Sequence, residues 1–118
     1  MTVLVCCYNG ATTLSAALDS VITGTDSGLQ YEILLIDDGS VDDTGRIGQA
    51  YASRFENLKY IRQESNLGLV PACNVGLKEA KGSCFVRLDA DDTFQPGVVA
   101  SMLKIMEDGW SDLVCGDR

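Results

Sequence analysis

The chain has 118 residues, 46% of them hydrophobic, with a mean hydropathy of +0.08 and a formal net charge of −8. This is one domain's worth of sequence with enough apolar content for a single core, which excludes a disordered chain. The charge argues against nonspecific nucleic-acid binding, which needs Lys and Arg on phosphates, and no apolar run nears the roughly 20 residues of a bilayer span.

Val3–Cys7 is a continuous apolar run and reads as a strand rather than as part of a secretory peptide. Asn9-Gly10 turns the chain, and Thr12 or Thr13 caps a helix whose inner face is Leu14, Ala17, Leu18, Val21 and Ile22. Thr23–Leu29 is loop-like, and Glu32–Ile36 is a second buried strand ending at Asp37-Asp38-Gly39-Ser40. Asp42 caps a helix with Ile47, Ala50, Tyr51 and Phe55 on one face, and Leu58–Ile61 is a third strand. Asn66-Leu67-Gly68 turns into a helix carrying Leu69, Cys73, Gly76, Leu77 and Ala80, with Pro71 tolerated in its first turn and Asn74 a candidate buried tie. Ser83–Leu88 is a fourth strand, Pro96–Glu107 a fourth helix and Asp112–Cys115 a fifth strand.

Strand and helix alternate four times with short connections, and the strands lack polar alternation. That pattern describes an α/β fold: an open, doubly wound, mainly parallel sheet with helices on both faces, in one domain over residues 1–118. Ligands of such sheets bind outside the carboxyl ends of the strands. Tyr8-Asn9, Asp37-Asp38, Gln63–Asn66 and Asp89–Asp92 follow strands one to four, so topology alone gathers them at one edge.

Asp89, Asp91 and Asp92 repel one another unless a cation neutralises them, and oxygen-only ligands suit Mg2+ or Mn2+ with positions left for phosphates. One carboxylate of Asp37-Asp38 suits a base imide or ribose hydroxyl, or else a plain turn. Tyr8 offers a flat face to a nucleobase and Asn9 a turn-fixing amide. Asn66 reads first as a turn residue and remains a candidate contact. Asp42-Asp43 suit a helix N-terminus, where negative charge is favoured. The sequence has no histidine, which removes imidazole chemistry. Its five cysteines lie in apolar segments without a CxxC pair and read as reduced packing residues of a cytoplasmic protein.

The ordered set Val3-Leu4-Val5-Cys6-Cys7-Tyr8-Asn9, Ile36-Asp37-Asp38-Gly39-Ser40-Val41-Asp42-Asp43-Thr44, Asn66-Leu67-Gly68, Asn74-Val75-Gly76-Leu77, Ala80-Lys81-Gly82 and Leu88-Asp89-Ala90-Asp91-Asp92 resembles the inverting family 2 glycosyltransferases of GT-A fold. Each motif is weak singly; in this order, over nearly the whole chain, the set is specific. The resemblance implies a donor site for a nucleotide-diphosphate sugar, most often a UDP-sugar. By that analogy Asp38 reads the base, the backbone around Cys6 lines the pocket with Tyr8, and Asp89 contacts ribose or sugar. Asp91, supported by Asp92, would hold Mn2+ or Mg2+ against the diphosphate.

The chain departs from the family pattern at Cys6, where Pro is usual, and at Cys73, where Arg is common. It is also about half a typical family domain. The acceptor site and catalytic base are therefore expected beyond Arg118, and Asp112 and Asp117 are weak substitutes. A noncatalytic binding module is the alternative, and self-association through an exposed edge or helix face is a further expectation. A signalling receiver domain is the remote alternative, since it shares the size and acidity but places its acidic pair after strand one.

Overall fold

Four apolar runs form the strands of one parallel sheet in the computed structural model, which describes residues 1–24 and 28–109. They are β1 (Thr2–Cys7), β2 (Glu32–Asp37), β3 (Leu58–Arg62) and β4 (Phe85–Asp89), in the spatial order β3-β2-β1-β4. Four helices alternate with them: α1 (Leu14–Gly24), α2 (Thr44–Arg54), α3 (Leu69–Glu79) and α4 (Val98–Glu107). Every β1 residue is buried, as expected for a central strand covered on both faces.

The period of two along the strands divides the core into two layers. Val3, Val5 and Cys7 of β1, with Ile33 and Leu35 of β2, pack against Leu14, Ala17, Leu18 and Val21 of α1 and Tyr51 of α2. Leu4, Cys6, Leu34 and Ile36 face the other way, onto Ala72 of α3. The doubly wound arrangement expected from the sequence is the one observed. A receiver domain has the strand order 2-1-3-4-5, so the order here removes that alternative.

Several details differ from the expectations. α1 runs on to Gly24, and its entry rests on the Gly10 carbonyl, which accepts the N–H of Thr13 and of Leu14, rather than on a threonine cap. α2 buries Gly48 and Tyr51 against the sheet and leaves Ala50 exposed. α3 buries Ala72 and Gly76, while Leu69, Leu77 and Asn74 are exposed. A Cβ at Gly76 would lie 2.4 Å from Leu4 Cδ1, so the sheet selects the small residues of α3 and turns its leucines outward. α4 begins at Val98 after Gly97 in the left-handed region, two residues later than expected. The expected fifth strand, Asp112–Cys115, and Asp117 lie outside the described residues.

Candidate functional site

From β1 the chain winds outward through β2 to β3, then returns to place β4 on the other side of β1. The strand order reverses between β1 and β4, and the crevice outside their carboxyl ends is where such a fold binds ligands. Cys6 is the register partner of Asp89 there, and Cys7 that of Asp37. Tyr8, Asn9, Asp89, Asp91 and Asp92 therefore leave the sheet at this point, with Asp38 at the end of the next strand.

The Asp37–Thr44 segment is occupied by the fold itself. Asp37 is fully buried; its Oδ1 accepts the Ser40 N–H at 2.9 Å, and its Oδ2 accepts the Tyr60 hydroxyl at 2.6 Å and the Arg62 guanidinium at 3.1 Å. Burial, then this bond to Asp37, pushes the Tyr60 phenol up to about 12. Asp38 is 4% exposed, and three donors meet it: Gln63 Nε2 at 2.7 Å and Leu67 N–H at 2.9 Å on Oδ1, and Gly68 N–H at 2.8 Å on Oδ2. A carboxylate offers about four lone-pair directions, so roughly one remains for a ligand. Asn66 is exposed and its side-chain oxygen accepts the same Gly68 N–H, an Asx turn of the kind expected.

Two loops are stitched together beside β1. Asn9 N–H donates to Ser40 Oγ at 2.9 Å, and Asn9 Oδ1 accepts the Val41 N–H at 2.9 Å. Gly10 N–H donates to Thr44 Oγ1 at 3.0 Å and Ala11 N–H to Asp42 Oδ2 at 3.1 Å. Asp42 Oδ1 also accepts the Thr44 N–H, and these donors, Thr44 foremost, hold the Asp42 carboxyl below its ordinary range. Asn9 adopts φ +50 in this clamp, where Asn is among the residues that tolerate it. Tyr8 projects from the same turn with 49% of its surface exposed, its ring available to stack. Gly39, at φ +74, lets the backbone meet the next loop, since a Cβ there would lie 2.6 Å from the Ser65 carbonyl carbon.

The acidic run behaves differently. Asp89 is paired with Arg87 at 3.2 Å on the same strand face, and its carbonyl accepts the Asp92 N–H in a turn. The side chains of Asp91 and Asp92 have no hydrogen-bond or ion-pair partner among the described residues, and Asp91 is exposed. The described residues contain no group of three His, Cys, Asp or Glu side chains disposed to enclose a metal ion. A shallow groove of about 810 Å³, lined by Glu32, Glu56, Lys59, Glu79 and Lys81 among others, lies at the opposite, amino ends of β2 and β3. It is mixed in charge and remote from these carboxylates.

Sequence reasoning missed Tyr60, Arg62, Gln63 and Arg87 as individual partners of the aspartates. The available signal was the i, i+2 spacing of Tyr60 and Arg62 at the end of a strand beside Asp37, which puts both on one face.

Comparison with known proteins gives this geometry a family. The profile of Glycosyl transferase family 2 matches residues 2–118. The chain belongs to that family. The dolichol-phosphate mannosyltransferase of Pyrococcus furiosus is 36% identical over all of this chain and 33% of its own length. The cholesterol galactosyltransferase of Borreliella burgdorferi is 32% identical over 98% of this chain and 31% of its own. Among solved structures, S. aureus TarS in complex with UDP-GlcNAc superposes with a TM-score of 0.84 at 28% identity, over 94% of this chain and 32% of that one. The mannosyltransferase PcManGT of Pyrobaculum calidifontis, in complex with GDP-Man and Mn2+, superposes at 0.80 and 25% identity, over 87% and 31%. The family 2 chain described here thus spans about a third of the length of these relatives, and its fold is that of GT-A structures. None of its described helices is long and apolar enough to cross a membrane.

Proposed function

We propose that this family 2 chain holds the donor, a UDP-sugar, at the carboxyl ends of β1, β2 and β4, for inverting transfer of the sugar to an acceptor hydroxyl. The observation that carries the reading is the division among its carboxylates. Asp37, Asp38 and Asp42 are engaged by the fold, whereas Asp91 and Asp92, at the reversal of strand order, have no side-chain partners among the described residues. Two unengaged carboxylates offer hard oxygen ligands to Mn2+ or Mg2+, ions that complete their shells with phosphate and water rather than a protein cage. That donor set fits the ion. When bound, the metal offsets carboxylate and phosphate charge and stabilises the departing diphosphate.

The remaining roles belong to the chain's own groups. Tyr8 supplies the stacking face, the Cys6 backbone the pocket wall, and Asn9 the clamp that fixes both. Asp38 presents its remaining lone pair to the base imide while its other bonds hold it in place. Asn66 orders the loop that closes on Asp38. Asp89, steadied by Arg87, faces the ribose or sugar. The nucleotide complexes of TarS and PcManGT support a nucleotide-sugar donor on this fold, and the second supports the ion. No described carboxylate at this edge is assigned as the base that deprotonates the acceptor. A cytoplasmic setting, which the free cysteines Cys6, Cys7, Cys73 and Cys84 suit, completes the reading.

Calorimetry with UDP, GDP and their sugars, with and without Mn2+, tests it. Uridine-selective binding strengthened by Mn2+ is expected. A folded chain that binds no nucleotide in either condition contradicts the proposal.

A further inference from the structure

We propose that Cys6 and Cys73 form an oxidation site, closing into a disulfide by exchange with a low-molecular-weight disulfide and so tying β1 to α3 beside the donor pocket. The sulfurs are 3.9 Å apart across 67 residues of sequence. Their approach is built by packing: Ala72 and Gly76 seat α3 so close to Leu4 that Cys73 reaches Cys6 on the same sheet face. Cys7 points into the opposite layer, and Cys84 lies at the far end of the strands, its carbonyl bonded to Thr2 N–H, so neither competes.

Access sets the order of events. Cys73 is partly exposed, while Cys6 is 8% exposed and its thiol is pushed up to about 12, first by burial and then by the neighbouring Cys73. The Cys73 thiolate attacks one sulfur of the small disulfide, forming a mixed disulfide and expelling one thiolate. Cys6 then loses its proton and attacks the Cys73 sulfur, expelling the second. The two released thiolates take up the two thiol protons. The protein is oxidised by two electrons, and the small disulfide is reduced to two thiols.

Bond formation draws the sulfurs from 3.9 Å to about 2 Å. The entry to α3 is tied to Asp38 through the N–H groups of Leu67 and Gly68, so the displacement reaches the base-reading carboxylate. Oxidation therefore weakens UDP binding, a consequence that rests on the donor-site reading, whereas the bond itself does not.

The test is to titrate the folded chain with oxidised glutathione and follow intact mass, peptide linkage and UDP affinity in Mn2+. The expected result is a loss of about 2 Da with a Cys6–Cys73 linkage. The linkage should vanish in Cys6→Ser and Cys73→Ser, persist in Cys7→Ser, and accompany an affinity about tenfold weaker that dithiothreitol restores. Glutathione adducts without that linkage, or the same mass loss in Cys73→Ser, overturn the inference. A linked chain whose reduced form never bound UDP would sink the donor reading and leave the cysteine pair standing.

Discussion

At the scale of single residues, neighbouring carboxylates divide between scaffold and ligand. Asp38 accepts from three donors, two of which, Gln63 Nε2 and the Leu67 N–H, have no other partner among the described residues, so Asp38→Ala should cost about 2 kcal/mol in urea unfolding. A change under about 0.5 kcal/mol would mean water replaces the carboxylate freely. Asp91 is exposed and without a described partner, so Asp91→Asn should leave the thermal midpoint where it is. The acidic residues were legible in the sequence as a set at one edge. Their division was not, because it depends on Gln63, Tyr60, Arg62 and the loop N–H groups that reach them from other strands and turns. The two departures from the family pattern, Cys6 and Cys73, were legible singly. That they touch follows from the packing of α3.

At the scale of elements, the strands and helices follow from their apolar runs, and the strand limits fall within about two residues of the expected ones. The faces of α2 and α3 were less legible. Apolar spacing favoured Leu69 and Leu77 on α3, but the helix lies so near the sheet that its buried positions are the small Ala72 and Gly76, so close approach overrides hydrophobicity. Gly76→Ala tests this. In an unobstructed helix the change stabilises by about 1 kcal/mol, but here the new methyl meets the buried Leu4 and a net loss of about 1 kcal/mol is expected. Leu4→Val in the same chain should recover part of that loss, the two changes being non-additive because the groups touch. Full additivity in chemical denaturation would contradict the contact as the cause.

At the scale of the molecule, alternation of strand and helix was enough to foresee a doubly wound sheet, but not its order, which depends on non-local pairing of β1 with both β2 and β4. The charged groups also set a pH window. Burial pushes the Glu32 carboxyl up, yet the Thr2 hydroxyl and the N–H groups of Lys81 and Gly82 outweigh it and hold it below 4.5; Lys59 does the same for Glu79. Their contribution is present above the unfolded value and lost as pH falls through the lowered ones. Cys6 and Tyr60, raised to about 12 mainly by burial, contribute fully below their unfolded values of 9.0 and 10.0 and lose that contribution as pH rises toward 12. The thermal midpoint should be flat from about pH 5 to 9 and fall on both sides. A midpoint that climbs above pH 9 would contradict this assignment.

The central claim is that the unengaged Asp91 carboxylate at the β1–β4 reversal carries the ion that holds the donor diphosphate. Its most direct test is UDP affinity by calorimetry across a Mn2+ titration, run side by side on the wild-type chain and Asp91→Asn. The account predicts that Mn2+ strengthens UDP binding to the wild type and that Asp91→Asn loses most of that gain at an unchanged thermal midpoint. An equal Mn2+ enhancement in both chains would contradict it.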